Sequence, residues 1–102
     1  MSGTILIVDD EADIRSTVEF NLSREGFRVV SAERGREAVE RAAESPRPDL
    51  IVLDLMLPDI SGTEVCRQLR QSPTTRGIPI LMLTAKTDAI DAVMLARFAV
   101  QK

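Results

Sequence analysis

Short apolar runs alternate with longer amphipathic stretches along this chain. Three of the runs are four residues long and rich in Ile, Leu and Val, at residues 5–8, 50–53 and 80–83. Runs of this length and composition are typical of strands buried on both faces of a parallel sheet. A shorter, half-polar strand is predicted at about residues 27–32, and its composition favours an edge position.

The stretches between these runs have the spacing of helices. Ile14, Val18 and Leu22 recur every four residues, which gives the first stretch one apolar stripe. The predicted helices cover about residues 11–25, 35–44 and 62–71, with a last one from about residue 88. Strands that alternate with helices indicate right-handed βαβ units. We therefore predict an α/β fold built on a doubly wound parallel sheet.

Carboxylates follow two of the apolar runs. Asp9, Asp10 and Glu11 follow the first, and Asp54 follows the second. Ligands of open α/β sheets bind at the carboxyl ends of the strands, so the carboxylates of Asp9, Asp10 and Asp54 converge if these two runs are neighbours. An all-oxygen cluster of this kind suits Mg²⁺ or Mn²⁺. The alternative is that Asp9 and Asp10 only cap the next helix, but two matched strand ends favour the metal site.

Composition excludes several classes of function. The chain has 102 residues, which suits one domain, and its net charge of -3 argues against direct binding to nucleic acid or to an anionic membrane. The absence of histidine excludes His-based acid–base catalysis, Ser-His triads and His-containing zinc sites. Cys66 is the only cysteine, which suits a reducing cytosol, and we expect it to be a small core residue. The first apolar run is too short for a signal peptide or a membrane span.

Three stretches together resemble a CheY-like receiver domain of a two-component response regulator. They are Ile-Leu-Ile-Val-Asp-Asp-Glu at 5–11, the Asp-Leu-Ile-Val-Leu-Asp segment through Gly62 at 49–62, and Ile-Pro-Ile-Leu-Met-Leu-Thr-Ala-Lys at 78–86. The resemblance covers about residues 4–88 and implies a strand order of 2-1-3-4. The sequence around Asp54 and Thr84 is most similar to the subgroup whose receiver precedes a winged-helix DNA-binding domain. We expect that second domain to be absent here.

The resemblance also implies roles for individual residues. Asp54 would accept a phosphoryl group from a histidine kinase and take part in binding Mg²⁺, with Mn²⁺ as a substitute. Asp10 would ligate the ion directly, Asp9 largely through water, and Met56 through its backbone carbonyl. Thr84 would donate its hydroxyl to a phosphoryl oxygen. The resemblance implies a cytoplasmic phosphoacceptor domain. It does not imply an enzyme that acts on a separate substrate.

The resemblance ends after about residue 88. The family's fifth strand, its lysine and its fifth helix are not recognisable in residues 89–102, so we expect an incomplete receiver, shortened or altered here, with slow phosphotransfer. Only Asp91 and Arg97 are charged between residues 89 and 100, so a helix there would be apolar nearly all round and would have to be buried. Residues 80–83 would become an apolar edge. We therefore expect a homodimer or higher oligomer joined through the C-terminal third, with residues 87–88 as the hinge of a domain swap.

Other functions are compatible with parts of this pattern. A receiver impaired in phosphorylation could act as an interaction or oligomerisation module. A haloacid-dehalogenase-like phosphatase also uses an aspartyl phosphate, but it needs a second Asp two residues later, where this chain has Met56. A flavodoxin-like cofactor site would need a Gly-rich phosphate loop, which follows none of the predicted strands.

Overall fold

Four strands and four helices alternate along the part of the chain that the structure describes. The computed structural model describes residues 3–84 and 88–101. The elements are β1 (Thr4–Val8), α1 (Ala12–Arg24), β2 (Arg28–Ala32), α2 (Gly35–Ala43), β3 (Leu50–Asp54), α3 (Gly62–Gln71), β4 (Ile80–Leu83) and α4 (Ala89–Gln101). These bounds lie within two residues of those that the apolar pattern predicts. Among the described residues, none of the helices has the length and apolar composition needed to cross a membrane.

The strands form one parallel sheet in the order β2-β1-β3-β4. This confirms the doubly wound α/β fold and the predicted strand order. Val8 lies opposite both Ala32 and Leu53, and Asp54 lies opposite Leu83. Because the strand ends are level, the chain segments that follow β1, β3 and β4 begin at one edge of the sheet.

Helices cover both faces of the sheet. Helices α1 and α4 pack on one face, over a core that includes Ile5, Ile7 and Val52. Helices α2 and α3 pack on the other, over a core that includes Leu6 and Leu53. Strands β1 and β3 are therefore buried on both faces, as their unbroken apolar runs predict. This burial holds the carboxyl ends of the two strands firmly side by side.

Two predictions of burial are wrong. In β4 only Leu83 is fully buried, and the other three residues are half-buried, because within the described chain β4 pairs with a neighbour on one side only. Cys66 is half-buried rather than in the core. Val65 and Leu69, four residues apart on α3, take the buried positions, and Cys66 is turned about 100° away from Val65 around the helix.

Helix α4 buries one side only, which also corrects a prediction. Ala92, Val93 and Ala96 pack against α1 and the sheet. Among the side chains of α4 that the structure describes, three large apolar ones remain exposed, at fractions of 60% for Ile90, 62% for Met94 and 45% for Leu95. A helix lying on the outside of a sheet has only one covered face, so an all-apolar sequence does not become an all-buried helix. The swap hinge predicted at residues 87–88 falls partly outside the described residues, and Asp88 itself caps α4 by accepting a hydrogen bond from the Asp91 N–H (2.9 Å).

The position of α4 differs from that of a helix that would connect β4 to a further strand. The step from β1 to β2 runs in one direction across the sheet, and its helix α1 lies on one face. The steps that lead to β3 and β4 run in the opposite direction, and their helices α2 and α3 lie on the other face, as right-handed crossovers require. A crossover from β4 to a strand beyond it would need a helix on the α2–α3 face. Because α4 lies beside α1, it is a covering helix, and among the described residues no strand pairs with the outer edge of β4.

Candidate functional site

The turn after β1 holds its carboxylates by backbone hydrogen bonds. The Asp9 N–H donates to the carbonyl of Ala32 (3.1 Å), which extends the β1–β2 pairing by one residue. The Asp9 carboxylate accepts a hydrogen bond from the Glu11 N–H (2.9 Å). Asp9 is buried, with 3% of its surface exposed, whereas Asp10 is exposed. Glu11 is the N-cap residue of α1 and makes no side-chain cap. The Asp9 carboxylate therefore closes the turn before α1 and does not act as the N-cap of the helix.

Asp54 is the last residue of β3 and lies directly against the start of α3. Its carboxylate accepts a hydrogen bond from the Met56 N–H (3.1 Å). The Gly62 N–H donates to the carbonyl of Leu55 (2.9 Å). A methyl group on Gly62 would lie 2.4 Å from the Asp54 carbonyl oxygen, so a side chain there would collide with the strand end. Glycine at this position lets the start of α3 pack closely against the end of β3, and this packing fixes the position of Asp54.

The three predicted carboxylates meet at this edge of the sheet. One oxygen each from Asp9, Asp10 and Asp54 lies within 4.8 Å of the others. Burial raises the pKa of Asp9 to about 6, and the nearby charges of Asp54, Asp10 and Glu11 add to this, against the lowering effect of the Glu11 N–H. Carboxylates this close repel one another unless a cation offsets their charge. Their all-oxygen donor set fits Mg²⁺ or Mn²⁺.

Asp54 lines two cavities formed by the described residues. The larger, of about 380 Å³, is open to solvent and is lined by residues of the β1 and β3 turns: Asp10, Glu11, Asp54, Met56, Leu57 and Pro58. The smaller, of about 80 Å³, is lined by Asp9, Glu11, Ile14, Asp54, Leu83, Thr84 and Asp88. Thr84 therefore borders the same space as Asp54, and Met56 borders the space beside Asp10. The other four residues predicted for the site therefore each line a cavity that Asp54 also lines.

A family comparison identifies the arrangement. The family model described as the response regulator receiver domain matches residues 5–101 of this chain. The chain belongs to this family. The match continues past residue 88, where the recognisable sequence motifs end. The predicted general function, a receiver module of two-component signalling, is thus confirmed.

Individual relatives agree with this placement of the receiver domain. The chain is 50% identical over 94 residues to the alkaline phosphatase synthesis transcriptional regulatory protein PhoP of Bacillus subtilis (strain 168), covering 92% of this chain and 38% of that protein. The chemotaxis response regulator CheY4 of Vibrio cholerae has a solved structure with 25% identity and a TM-score of 0.84, covering 98% of this chain and 99% of that one. Response regulator Rcp1 in its Mn²⁺-bound form is 28% identical with a TM-score of 0.73, over 96% of this chain and 75% of that one. The receiver chain thus spans about two fifths of the length of PhoP.

One residue that supports the site could not be assigned a role from the apolar pattern or from the resemblance. Asp59, in the loop between β3 and α3, accepts hydrogen bonds from the N–H groups of Gly35 (2.8 Å) and Arg36 (3.0 Å) at the start of α2. Burial acts to raise the pKa of Asp59, but these bonds and the Ile60 N–H outweigh it and lower the pKa to about 2. The loop that carries Met56 is thereby tied to a helix. The turn-forming residues Asp-Ile-Ser-Gly at 59–62 mark a loop here, but they do not indicate which groups Asp59 would bind.

Proposed function

We propose that this receiver accepts a phosphoryl group on Asp54 from the phosphohistidine of a histidine kinase in the cytoplasm. The observation that carries the proposal is the meeting of three carboxylates within 4.8 Å at the ends of β1 and β3. Membership of the receiver family supports the reaction class. The structure of response regulator Rcp1 in an Mn²⁺-bound form supports the binding of a divalent ion by a protein of this fold. Because the chain covers only part of PhoP, the kinase partner and the regulated output belong to the proposal as well.

Each residue has a separate task in this proposal. Asp54 is the nucleophile, since it is half-buried at a strand end and faces the open cavity. Asp9, Asp10 and Asp54, with the backbone carbonyl of Met56, would hold Mg²⁺. Bound there, the ion would offset negative charge on the phosphoryl oxygens. Phosphoryl transfer requires little beyond such positioning and charge compensation. The protein thus assists its own phosphorylation and does not catalyse a reaction of a separate substrate.

Thr84 is placed to respond to the new group. It follows Leu83, which lies opposite Asp54 in the sheet, and it borders the small cavity beside Asp54. A phosphoryl group brings about −1.5 to −2 units of charge to this position. The Thr84 hydroxyl donates to one of its oxygens in our proposal, which draws the segment after β4 towards Asp54.

Acetyl phosphate provides the direct test. Incubation with acetyl phosphate and Mg²⁺ should add one base-labile phosphoryl group, detected by intact-protein mass spectrometry, and Asp54→Asn should abolish it. Asp13→Asn, which alters an exposed carboxylate on α1, is the control and should leave the adduct in place. An adduct that persists in Asp54→Asn, or that forms equally in EDTA, would contradict the proposal. The time course also tests the slow phosphotransfer predicted from the sequence.

A second candidate, an interaction or oligomerisation module, is favoured by one observation. Ile90, Met94 and Leu95 stand exposed on α4, beside the half-buried edge strand β4. A two-fold pairing would let each copy cover the exposed residues of the other. This proposal keeps the predicted homodimer or higher oligomer and assigns it to the C-terminal third.

Sedimentation velocity over a range of concentrations separates the two candidates. The oligomer should dissociate on dilution, and Met94→Glu should shift the chain to monomer because a charge cannot be buried cheaply in an apolar contact. Ser23→Glu, on the exposed side of α1, is the matched control. A monomer at every concentration would remove this second candidate and leave the phosphoacceptor proposal intact.

A further inference from the structure

Arg15 bridges two segments beside the acidic cluster. It lies in the first turn of α1, and only 15% of its side chain is exposed. Its Nη1 donates to the backbone carbonyl of Asp9 (2.7 Å), and its Nη2 donates to the carboxylate of Glu33 (3.0 Å), just beyond β2. One planar guanidinium thus joins the turn after β1 to the segment after β2.

The bond to the Asp9 carbonyl controls a particular peptide plane. That carbonyl belongs to the peptide that connects Asp9 to Asp10, so fixing it limits the directions in which the Asp10 side chain can leave the backbone. The other side of the turn is fixed by the hydrogen bond from the Glu11 N–H to the Asp9 carboxylate. Between them, the two bonds hold a turn whose carboxylates would otherwise separate through mutual repulsion.

We propose that Arg15 is a positioning residue that holds the Asp9–Asp10 peptide in the orientation needed for both carboxylates to share a metal ion with Asp54. The inference rests on the proposed metal site, because it concerns the shape of that site. It requires arginine in particular, since two donors in one rigid plane reach two acceptors at once, which the single ammonium of lysine does not reproduce. Glu33 has 64% of its side chain exposed, so the ion pair serves mainly to orient the guanidinium.

Two substitutions separate positioning from charge. Arg15→Gln removes both the charge and the planar fork, and Arg15→Lys keeps the charge alone. If Arg15 positions the turn, both variants should weaken Mn²⁺ binding by about tenfold, as measured by calorimetric titration, since partners that orient metal ligands typically have effects of this size. If Arg15 acted through its charge, Arg15→Gln would bind Mn²⁺ more tightly and Arg15→Lys would match the wild-type chain. That outcome would overturn the proposal.

A readout on the metal-free chain is independent of the metal site. Hydrogen exchange of the Glu11 amide should be faster in both variants, because the turn that protects it is no longer held on its other side. Arg67→Gln is the matched control: it removes an ion pair between Arg67 and Glu64 on α3, away from the cluster, and should change neither measurement. Unchanged exchange, or unchanged Mn²⁺ affinity despite faster exchange, would overturn the positioning role. A wild-type chain that bound no Mn²⁺ would refute the proposed function, and Glu11 exchange would then decide whether Arg15 holds the turn.

Discussion

Gly62 shows how one missing side chain shapes the site. A methyl group there would lie 2.4 Å from the Asp54 carbonyl oxygen and 2.9 Å from the Leu55 Cα, both backbone atoms that cannot move aside. We predict that Gly62→Ala lowers the free energy of unfolding by about 1–3 kcal/mol through overpacking. It should also weaken Mg²⁺ binding, because the strand end that carries Asp54 is displaced. Urea denaturation and metal titration measure the two effects.

Gly77 provides a control of the same chemistry. A methyl group at Gly77 would meet no atom within 4 Å. Gly77→Ala should therefore leave the free energy of unfolding within about 0.5 kcal/mol of the wild-type value. Equal effects of the two substitutions would show that the close approach at Gly62 is not a source of instability.

Individual site residues differ in how visible they are in the sequence. Asp9, Asp10 and Asp54 were predictable because strand ends share one edge of a parallel sheet, so their meeting follows from the apolar pattern. Arg15 and Asp59 were not. Arg15 bonds to the Asp9 carbonyl, six residues away, and to the Glu33 carboxylate, 18 residues away. Asp59 bonds to N–H groups 23 and 24 residues away. Three of these four groups belong to the backbone and have no sequence signature. Backbone contacts of this kind become visible only when the loops are placed.

At the scale of elements, Asp59 replaces a cap that α2 lacks. The N-cap residue Arg34 makes no side-chain cap, and Asp59 accepts hydrogen bonds from the first two N–H groups of the helix instead. We predict that Asp59→Ala lowers the free energy of unfolding by about 1 kcal/mol, the usual cost of losing a cap. Glu40→Ala, which removes an exposed carboxylate from the same helix, is the control and should have a smaller effect.

The pH dependence of this effect identifies its cause. The pKa of Asp59 is about 2 in the folded chain, below its ordinary value of 3.8. Between these values the unfolded chain binds more protons, so Asp59 stabilises the fold fully above about pH 4, and this contribution is lost as the pH falls towards 2. The difference between wild type and Asp59→Ala should shrink over that range in urea titrations. A difference that stayed constant would mean that the carboxylate charge is not what caps α2.

The last helix shows where prediction of elements stops. Its start near Asp88 followed from the sequence, but its exposed side did not. An apolar composition says that a helix needs cover, whereas the face of the sheet that it reaches depends on the direction of the preceding crossovers. In this chain α4 lies beside α1, so Val93 is buried while Ile90 and Met94 face outwards. The exposed side of α4 thus depends on where the helix packs in the fold, and the local sequence pattern does not specify that position.

For the molecule as a whole, the acidic cluster links stability to pH. The pKa of Asp9 is raised from 3.8 to about 6 in the folded chain, first by burial and then by the charges of Asp54, Asp10 and Glu11. The folded chain therefore binds more protons than the unfolded chain between these pH values. Stability from this group is fully present below about pH 4 and is lost as the pH rises through 6. The metal-free protein should accordingly lose stability from this source on the way to neutral pH.

Asp9→Asn tests this linkage in EDTA. Asparagine resembles the protonated acid and can still accept the hydrogen bond from the Glu11 N–H. At pH 7 we predict that the variant is more stable than wild type by roughly 1–3 kcal/mol, which corresponds to a shift of about two pKa units reduced by relaxation. The gain should disappear at about pH 4, where the wild-type carboxyl is itself protonated. Asp13→Asn, on the exposed side of α1, should follow the wild type at both pH values.

Excess Mg²⁺ should reduce the difference in stability between the two proteins at pH 7. A ligand that binds only the folded state stabilises it by about 2.7 kcal/mol at a hundred times its dissociation constant. The wild-type chain offers three carboxylates to the ion and gains this free energy, whereas Asp9→Asn offers two and gains less. The lead of the variant in EDTA should thus shrink in Mg²⁺, as measured by thermal denaturation of both proteins in both buffers. Equal stabilisation of the two by Mg²⁺ would show that the ion binds somewhere other than between the ends of β1 and β3.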